Sequence, residues 1–286
     1  MPQTRALVLG DAELAVREWG DDDGVPLLYW HGLNPFGALE LNEAGPAWAA
    51  AGFRVIAFAA PGIAGGAAFD DPARYRPTRL ADLVVDAADH LEIDLFTYVG
   101  WSWGASLGVY LGARHAERVQ ALVFLDAGHN DVPGDAEQPF EDLVAEYSEQ
   151  HDRYRFETWD DFLAAARETR RRWRPQLEER VRSGMHEVEG AIVARSDPRA
   201  AAAAIHGLLQ EQPSAAQEAL GRTGLPVLLI VGADNDTSDD VERFRAAVPQ
   251  VEVRSVSAGH DLLADTPEET IEAVSTWLRS IVAGPH

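Results

Sequence analysis

Apolar residues along the chain follow two rhythms. Short runs over 4–9, 12–18, 25–30, 53–58, 95–99, 119–125, 226–231 and 251–256 alternate or run continuously apolar, the signature of strands. Between them lie stretches with apolar residues at helical spacing. The clearest is 79–91, where Leu80, Leu83, Val84, Ala87, Ala88 and Leu91 share one face. Residues 43–51, 106–115 and 241–248 read the same way, and Thr266-Pro267-Glu268-Glu269 opens a last helix with an N-cap, a proline and first-turn acids. The first two strands, separated by Gly10-Asp11, predict an antiparallel hairpin. Strands alternating with helices predict an α/β fold with a mostly parallel, doubly wound sheet.

The rhythm changes at about residue 130. Strand signals stop, and helical segments rich in Arg, Glu and Ala take over at 140–150, 158–173, 176–183 and 198–210. The expected organisation is a core of 1–129 and 221–286 with a helical cap, or lid, of 130–220 inserted between core strands 6 and 7. Arg170-Arg171-Arg172-Trp173-Arg174 is expected to be a solvated helix end, because glutamates flank it and the whole chain is acidic.

Composition narrows the function classes. Among 286 residues, 47 acids face 24 bases for a net charge of −23, and every base is arginine. Such a surface repels nucleic acid and anionic membranes, so neither is an expected partner. The chain has no cysteine, so a catalytic nucleophile would have to be an oxygen. No apolar run approaches a bilayer span, and the first five residues lack a signal-peptide pattern, so the expected location is cytoplasmic. No cluster has metal-ligand spacing and no glycine-rich loop matches a phosphate cradle, so the expected cofactor is none and the expected metal none. The expected partner is a small-molecule substrate, with a homodimer as the candidate assembly.

Chemistry concentrates at three predicted strand ends. Gly100-Trp101-Ser102-Trp103-Gly104 places a serine between two glycines where a strand turns into a helix, the G-x-S-x-G nucleophile elbow. The tight turn exposes Ser102 Oγ and sets the Trp103 N–H at a helix N-terminus, where negative charge is favoured. An acid pair, Asp234 and Asp236, follows a later strand, and His260 follows the last. A serine hydroxyl needs an imidazole to take its proton, and the imidazole needs a carboxylate to orient it. The order serine, acid, histidine matches this assignment. Leu33 N–H, after His31-Gly32, is placed to join Trp103 N–H in an oxyanion hole.

On these residues the sequence resembles the α/β-hydrolases with a helical cap between the sixth and seventh core strands. His31-Gly32 resembles that family's oxyanion-loop dipeptide, Pro61-Gly62 its loop after the next strand, and Gly259-His260 its histidine loop. The resemblance implies an acid three residues after the glycine that ends the seventh strand, a position held here by Asn235. Asp234 and Asp236 flank it as equal candidates, and Asp126, at the end of the sixth strand, stands behind them.

A serine at the elbow implies an acyl-enzyme. The leading expectation is a carboxylesterase-like serine hydrolase of a small, mainly apolar ester or lactone. Trp101 and Phe36 are expected to line its pocket with Leu33. A proline iminopeptidase-like aminopeptidase, a carbon–carbon bond hydrolase and a weakly catalytic small-molecule-binding protein are the alternatives.

Overall fold

Among the described residues ten strands and eleven α-helices form, eight of the strands where the strand rhythm falls. The computed structural model describes residues 3–63, 66–235 and 237–282. The strands are β1 (Gln3–Leu9), β2 (Ala12–Trp19), β3 (Val25–Trp30), β4 (Phe53–Ala59), β5 (Phe96–Trp101), β6 (Val119–Leu125), β7 (Met185–Val188), β8 (Ala191–Ala194), β9 (Val227–Gly232) and β10 (Val251–Val256). The helices are α1 (Ala44–Ala50), α2 (Pro77–His90), α3 (Trp103–Arg114), α4 (Phe140–Arg153), α5 (Trp159–Glu168), α6 (Pro175–Ser183), α7 (Pro198–Gln210), α8 (Ser214–Thr223), α9 (Ser238–Ala247), α10 (Leu262–Asp265) and α11 (Pro267–Val282).

Eight strands make one sheet in the order β1-β2-β4-β3-β5-β6-β9-β10, antiparallel at the β1 end and parallel from β4 onward. Parallel strands covered on both faces must be apolar on both, and β3, β5 and β6 are nearly so throughout. Alternate residues then feed separate cores. Leu28, Trp30, Phe96 and Tyr98 pack with α2, α3, α8 and α9, while Leu27, Tyr29, Val99 and Trp101 pack with α1 and α11.

This topology positions the site. From β3 the chain moves outward to β4, then crosses back to lay β5 on the other side of β3. Trp30 and Gly100 are register partners at that junction. The loops leaving β3 and β5 therefore diverge from neighbouring strand ends, the kind of crevice in which open α/β sheets hold ligands.

Between β6 and β9 the chain builds two small apolar clusters of its own. Leu143 of α4 packs with Ala202 and Leu209 of α7, and Phe162, Leu163 and Ala166 of α5 pack with Val181, Met185 and Ile192. The region is not wholly helical, because β7 and β8 form an antiparallel hairpin there. The expected boundary at 220/221 falls inside α8, which packs on α3 with Leu220 in the main core.

The arginine run departs further from expectation. Helix α5 ends at Glu168, and Arg174 is extended, as the residue before Pro175 must be. The freed segment docks on the core. Arg170 Nη1 donates to Asp261 Oδ2 at 3.0 Å, and Arg174 donates to Glu43 Oε2 at 2.6 Å and Ala264 O at 3.1 Å. Arg171 pairs with Asp234, and Arg172 Nη1 reaches Asp265 O at 3.4 Å. The glutamates nearby in sequence are not its partners; acids and carbonyls of distant core loops are.

Candidate active site

The elbow forms because two side chains are missing. A Cβ on Gly104 would run into the Trp30 carbonyl, and one on Gly100 would run into the backbone of Gly104. With both absent, α3 starts hard against β5 and Ser102 adopts φ 51°, ψ −114°, a left-handed-φ conformation that costs a non-glycine residue energy. Ser102 N–H is tied to Leu125 O at 3.1 Å, and the Ser102 carbonyl accepts from Ala105 and Ser106. The turn is thereby over-determined.

Ser102 Oγ donates to His260 Nε2 at 2.9 Å, and His260 Nδ1 donates to Asp126 Oδ2 at 2.8 Å. The carboxylate accepts only, so the hydrogen bonds assign this tautomer. The acid in contact with His260 is thus Asp126 at the end of β6, the candidate ranked behind Asp234 and Asp236. Asp234 lies about half-exposed and is occupied by Arg171. Asp236 lies outside the described residues. Asp126 is buried and fully partnered: Gly232 N–H donates to Oδ1 at 2.7 Å and Asn235 Nδ2 to Oδ2 at 2.6 Å. Asn235, at the place where the resemblance implied an acid, donates to the acid of the neighbouring strand.

Leu33 and Trp103 both border a cavity of about 540 Å³ with Ser102, His260 and Asp126. Trp103 is the first residue of α3, so its N–H belongs to the donors a helix leaves without an internal partner. The Leu33 loop is held from two sides. His31 is buried, donating Nδ1–H to Gly32 O at 2.6 Å and accepting from Ala60 N–H at 2.9 Å through Nε2. Burial pulls its imidazole down to about 4, so it is neutral. Behind the loop sits Glu40, which sequence reasoning missed. Its carboxyl meets Tyr29 Oη, Asn34 Nδ2 and, at 3.4 Å, Gly32 N–H. Burial pushes Glu40 up to about 8 against the opposing pull of Arg180.

Trp101 is not in the wall of this cavity. It is buried behind His260, donating Nε1–H to His260 O at 2.8 Å, with the face of its ring against Gly32. Phe36 borders a second cavity of about 340 Å³, enclosed by α4–α7 and the hairpin and meeting the first at Leu33. Arg180 of α6 stands between the rings of Phe36 and Trp101, 3% exposed, and donates to Asp261 Oδ2 at 2.8 Å. Burial works against its charge, but Asp261 and Glu40 outweigh that and hold it above its usual range.

The fold has known counterparts. The profile of the alpha/beta hydrolase fold matches residues 25–267. A protein of Mycobacterium phage D29, provisionally named a non-heme haloperoxidase, is 34% identical over 104 residues, which is 36% of each chain. Among solved structures, a carboxylesterase of the thaumarchaeon Nitrososphaera gargenis superposes with a TM-score of 0.74 at 19% identity, covering 98% of this chain and all of that one. E-2-(acetamidomethylene)succinate hydrolase gives 0.74 at 21% identity over 97% and 99% of the two chains. The thioesterase domain of the curacin biosynthetic pathway gives 0.73 at 16% identity over 97% and 99%. The chain belongs to the α/β-hydrolase fold family.

Proposed function

We propose that this α/β-hydrolase cleaves small, mainly apolar carboxylic esters or lactones through an acyl-enzyme on Ser102. The observation that carries the reading is the unbroken relay from Ser102 Oγ through His260 to Asp126. As the ester carbonyl is attacked, His260 Nε2 takes the serine proton, and Asp126 stabilises the imidazolium that forms. The tetrahedral oxyanion accepts from the Leu33 and Trp103 N–H groups. Collapse expels the alkoxide, which leaves with the proton from His260. A water then attacks the acyl-enzyme by the same steps in reverse order of partners. Esters come before amides because alkoxides leave more readily than amines.

A fluorophosphonate probe and a panel of short p-nitrophenyl esters, run beside proline p-nitroanilide, test the reading. Expected are labelling of Ser102, its loss in His260→Ala, and turnover of the esters ahead of the anilide. Labelling that persists undiminished in His260→Ala, or none at all, overturns it.

A further inference from the structure

The second cavity has an unexpected chemistry for so acidic a chain. With 47 acids in the sequence, none of the described residues bordering the 340 Å³ space is Asp or Glu. Its walls are largely apolar, with Phe156, Phe162, Val181 and Met185 among them, and Arg170 is the one arginine among the described residues that border it. The cavity around Ser102, by contrast, is bordered by Asp126, Asp131 and Asp234.

Arg170 is positioned but only partly engaged. Its guanidinium lies 5.4 Å from the centre of the Phe36 ring, and Nη1 donates to Asp261 Oδ2 at 3.0 Å. That same oxygen already accepts from the buried Arg180, and Oδ1 caps Ala264 N–H, so Asp261 has partners without Arg170. Asp265, the other acid acting on Arg170, accepts from Gly259 N–H at 2.8 Å. Nε and Nη2 of Arg170 have no hydrogen-bond partner among the described residues, although its side chain is 21% exposed.

The two cavities lie along one helix. Pro198 and Ala201 of α7 border the second, and Ile205 and Leu208, continuing the same stripe, border the first. Leu33 borders both. A ligand long enough to reach from Ser102 to Arg170 would follow this stripe past Leu33.

We propose that this cavity is a subsite for the carboxylate end of an amphiphilic substrate, an ester whose apolar chain carries a free carboxylate that Arg170 receives. Carboxylate and guanidinium match as a two-pronged pair. Asp261 and Asp265 also act on Arg170, but Asp261 engages only Nη1 and leaves Nε and Nη2 for the incoming carboxylate, in a partly buried pair that salt screens less than an exposed one. This inference rests on the acyl-enzyme reading for which end reacts, but its binding arm does not.

The test compares mono-p-nitrophenyl half-esters of the straight-chain dicarboxylic acids from succinic to sebacic with neutral p-nitrophenyl esters of equal chain length. Wild type should favour the half-esters by about 10- to 100-fold in kcat/KM at one chain length, which reports the distance to Arg170. Arg170→Gln should collapse that ratio, and Arg170→Lys should keep part of it, serving also if the Gln variant does not fold. Calorimetric titration with octanoate and with 1-octanol reads the subsite without turnover. Octanoate should bind the tighter, and Arg170→Gln should abolish the difference. A wild type without charge preference, or an Arg170→Gln variant that slows both ester types equally, overturns the subsite. A charge preference in binding without labelling of Ser102 overturns the acyl-enzyme reading instead.

Discussion

The two cavities that meet at Leu33 are built by different means. Around Ser102, almost every important group is placed by backbone at a strand end: the elbow by crowding against Trp30, the Asp126 carboxylate by Gly232 N–H, the Leu33 loop by Ala60 N–H. The second cavity is walled mainly by side chains of helices and a hairpin that pack in small clusters and are pinned to the core by arginines. The first arrangement resists change because moving it means breaking the sheet. The second can change residue by residue. On the proposed reading, reactivity belongs to the rigid part and selectivity to the adaptable one, a division that mutation can break.

The largest expected effect is on the rigid side. Ser102→Ala or His260→Ala should lower kcat by ~10⁴-fold or more, leaving only what binding and the oxyanion donors supply. Next is the acid. Asp126→Asn should cost ~10²- to 10⁴-fold in kcat, whereas Asp234→Asn should cost less than about 3-fold, both read by steady-state kinetics. Equal losses would mean that both acids serve His260.

Smaller effects probe the pins. Arg180 is buried against Asp261, and Arg180→Met should destabilise the fold by about 3 kcal/mol in urea melts, because it leaves a carboxylate short of its closest buried partner. Arg171→Ala breaks an exposed pair and should cost about 1 kcal/mol or less. A reversed order would place the hold between α5–α6 and the sheet's loops at the surface.

A pH-dependent effect concerns the groups behind the Leu33 loop. Folded Glu40 keeps its proton up to about 8 against 4.5 for an ordinary glutamate, so the folded state binds more protons between those values and stability falls as pH rises through them. His31 acts in the opposite range. Its folded imidazole stays neutral down to about 4 against 6.5, so stability falls as pH drops from 6.5 toward 4. Glu40→Gln should remove the first slope, gaining ~1 kcal/mol or more over wild type at pH 8 relative to pH 5. Parallel pH–stability curves for the two proteins would show that Glu40 is ionised in the folded state.

Backbone-built features were the legible ones. Gly100 and Gly104 betray the elbow because the crowding there admits no side chain, and the apolar runs betray the strands because both sheet faces are covered. The acid was not legible by the same means. Asp126, Asp234 and Asp236 all follow strands, and their spacing does not say which carboxylate the imidazole faces. One available signal was Asn235, an amide where the resemblance implied an acid. Glu40 left no signal at all, since a lone glutamate in a short turn reads as solvated until Tyr29, Asn34 and Gly32 close round it. The arginine run was misread because its partners, Glu43, Asp234 and Asp261, are distant in sequence and invisible to local charge patterns.

Ser102 and Asp126 follow adjacent strands in register, with Trp101 opposite Leu125 and Ser102 N–H bonded to Leu125 O. Both residues are therefore in place before the chain enters the segment that builds the second cavity. That segment can be exchanged or lengthened without altering the spacing of serine and acid. Had the carboxylate come from beyond β9, every such exchange would have put the pair at risk. The position of Asp126 keeps the segment after β6 out of the serine–acid spacing, and gives a protein engineer a natural splice point just after β6.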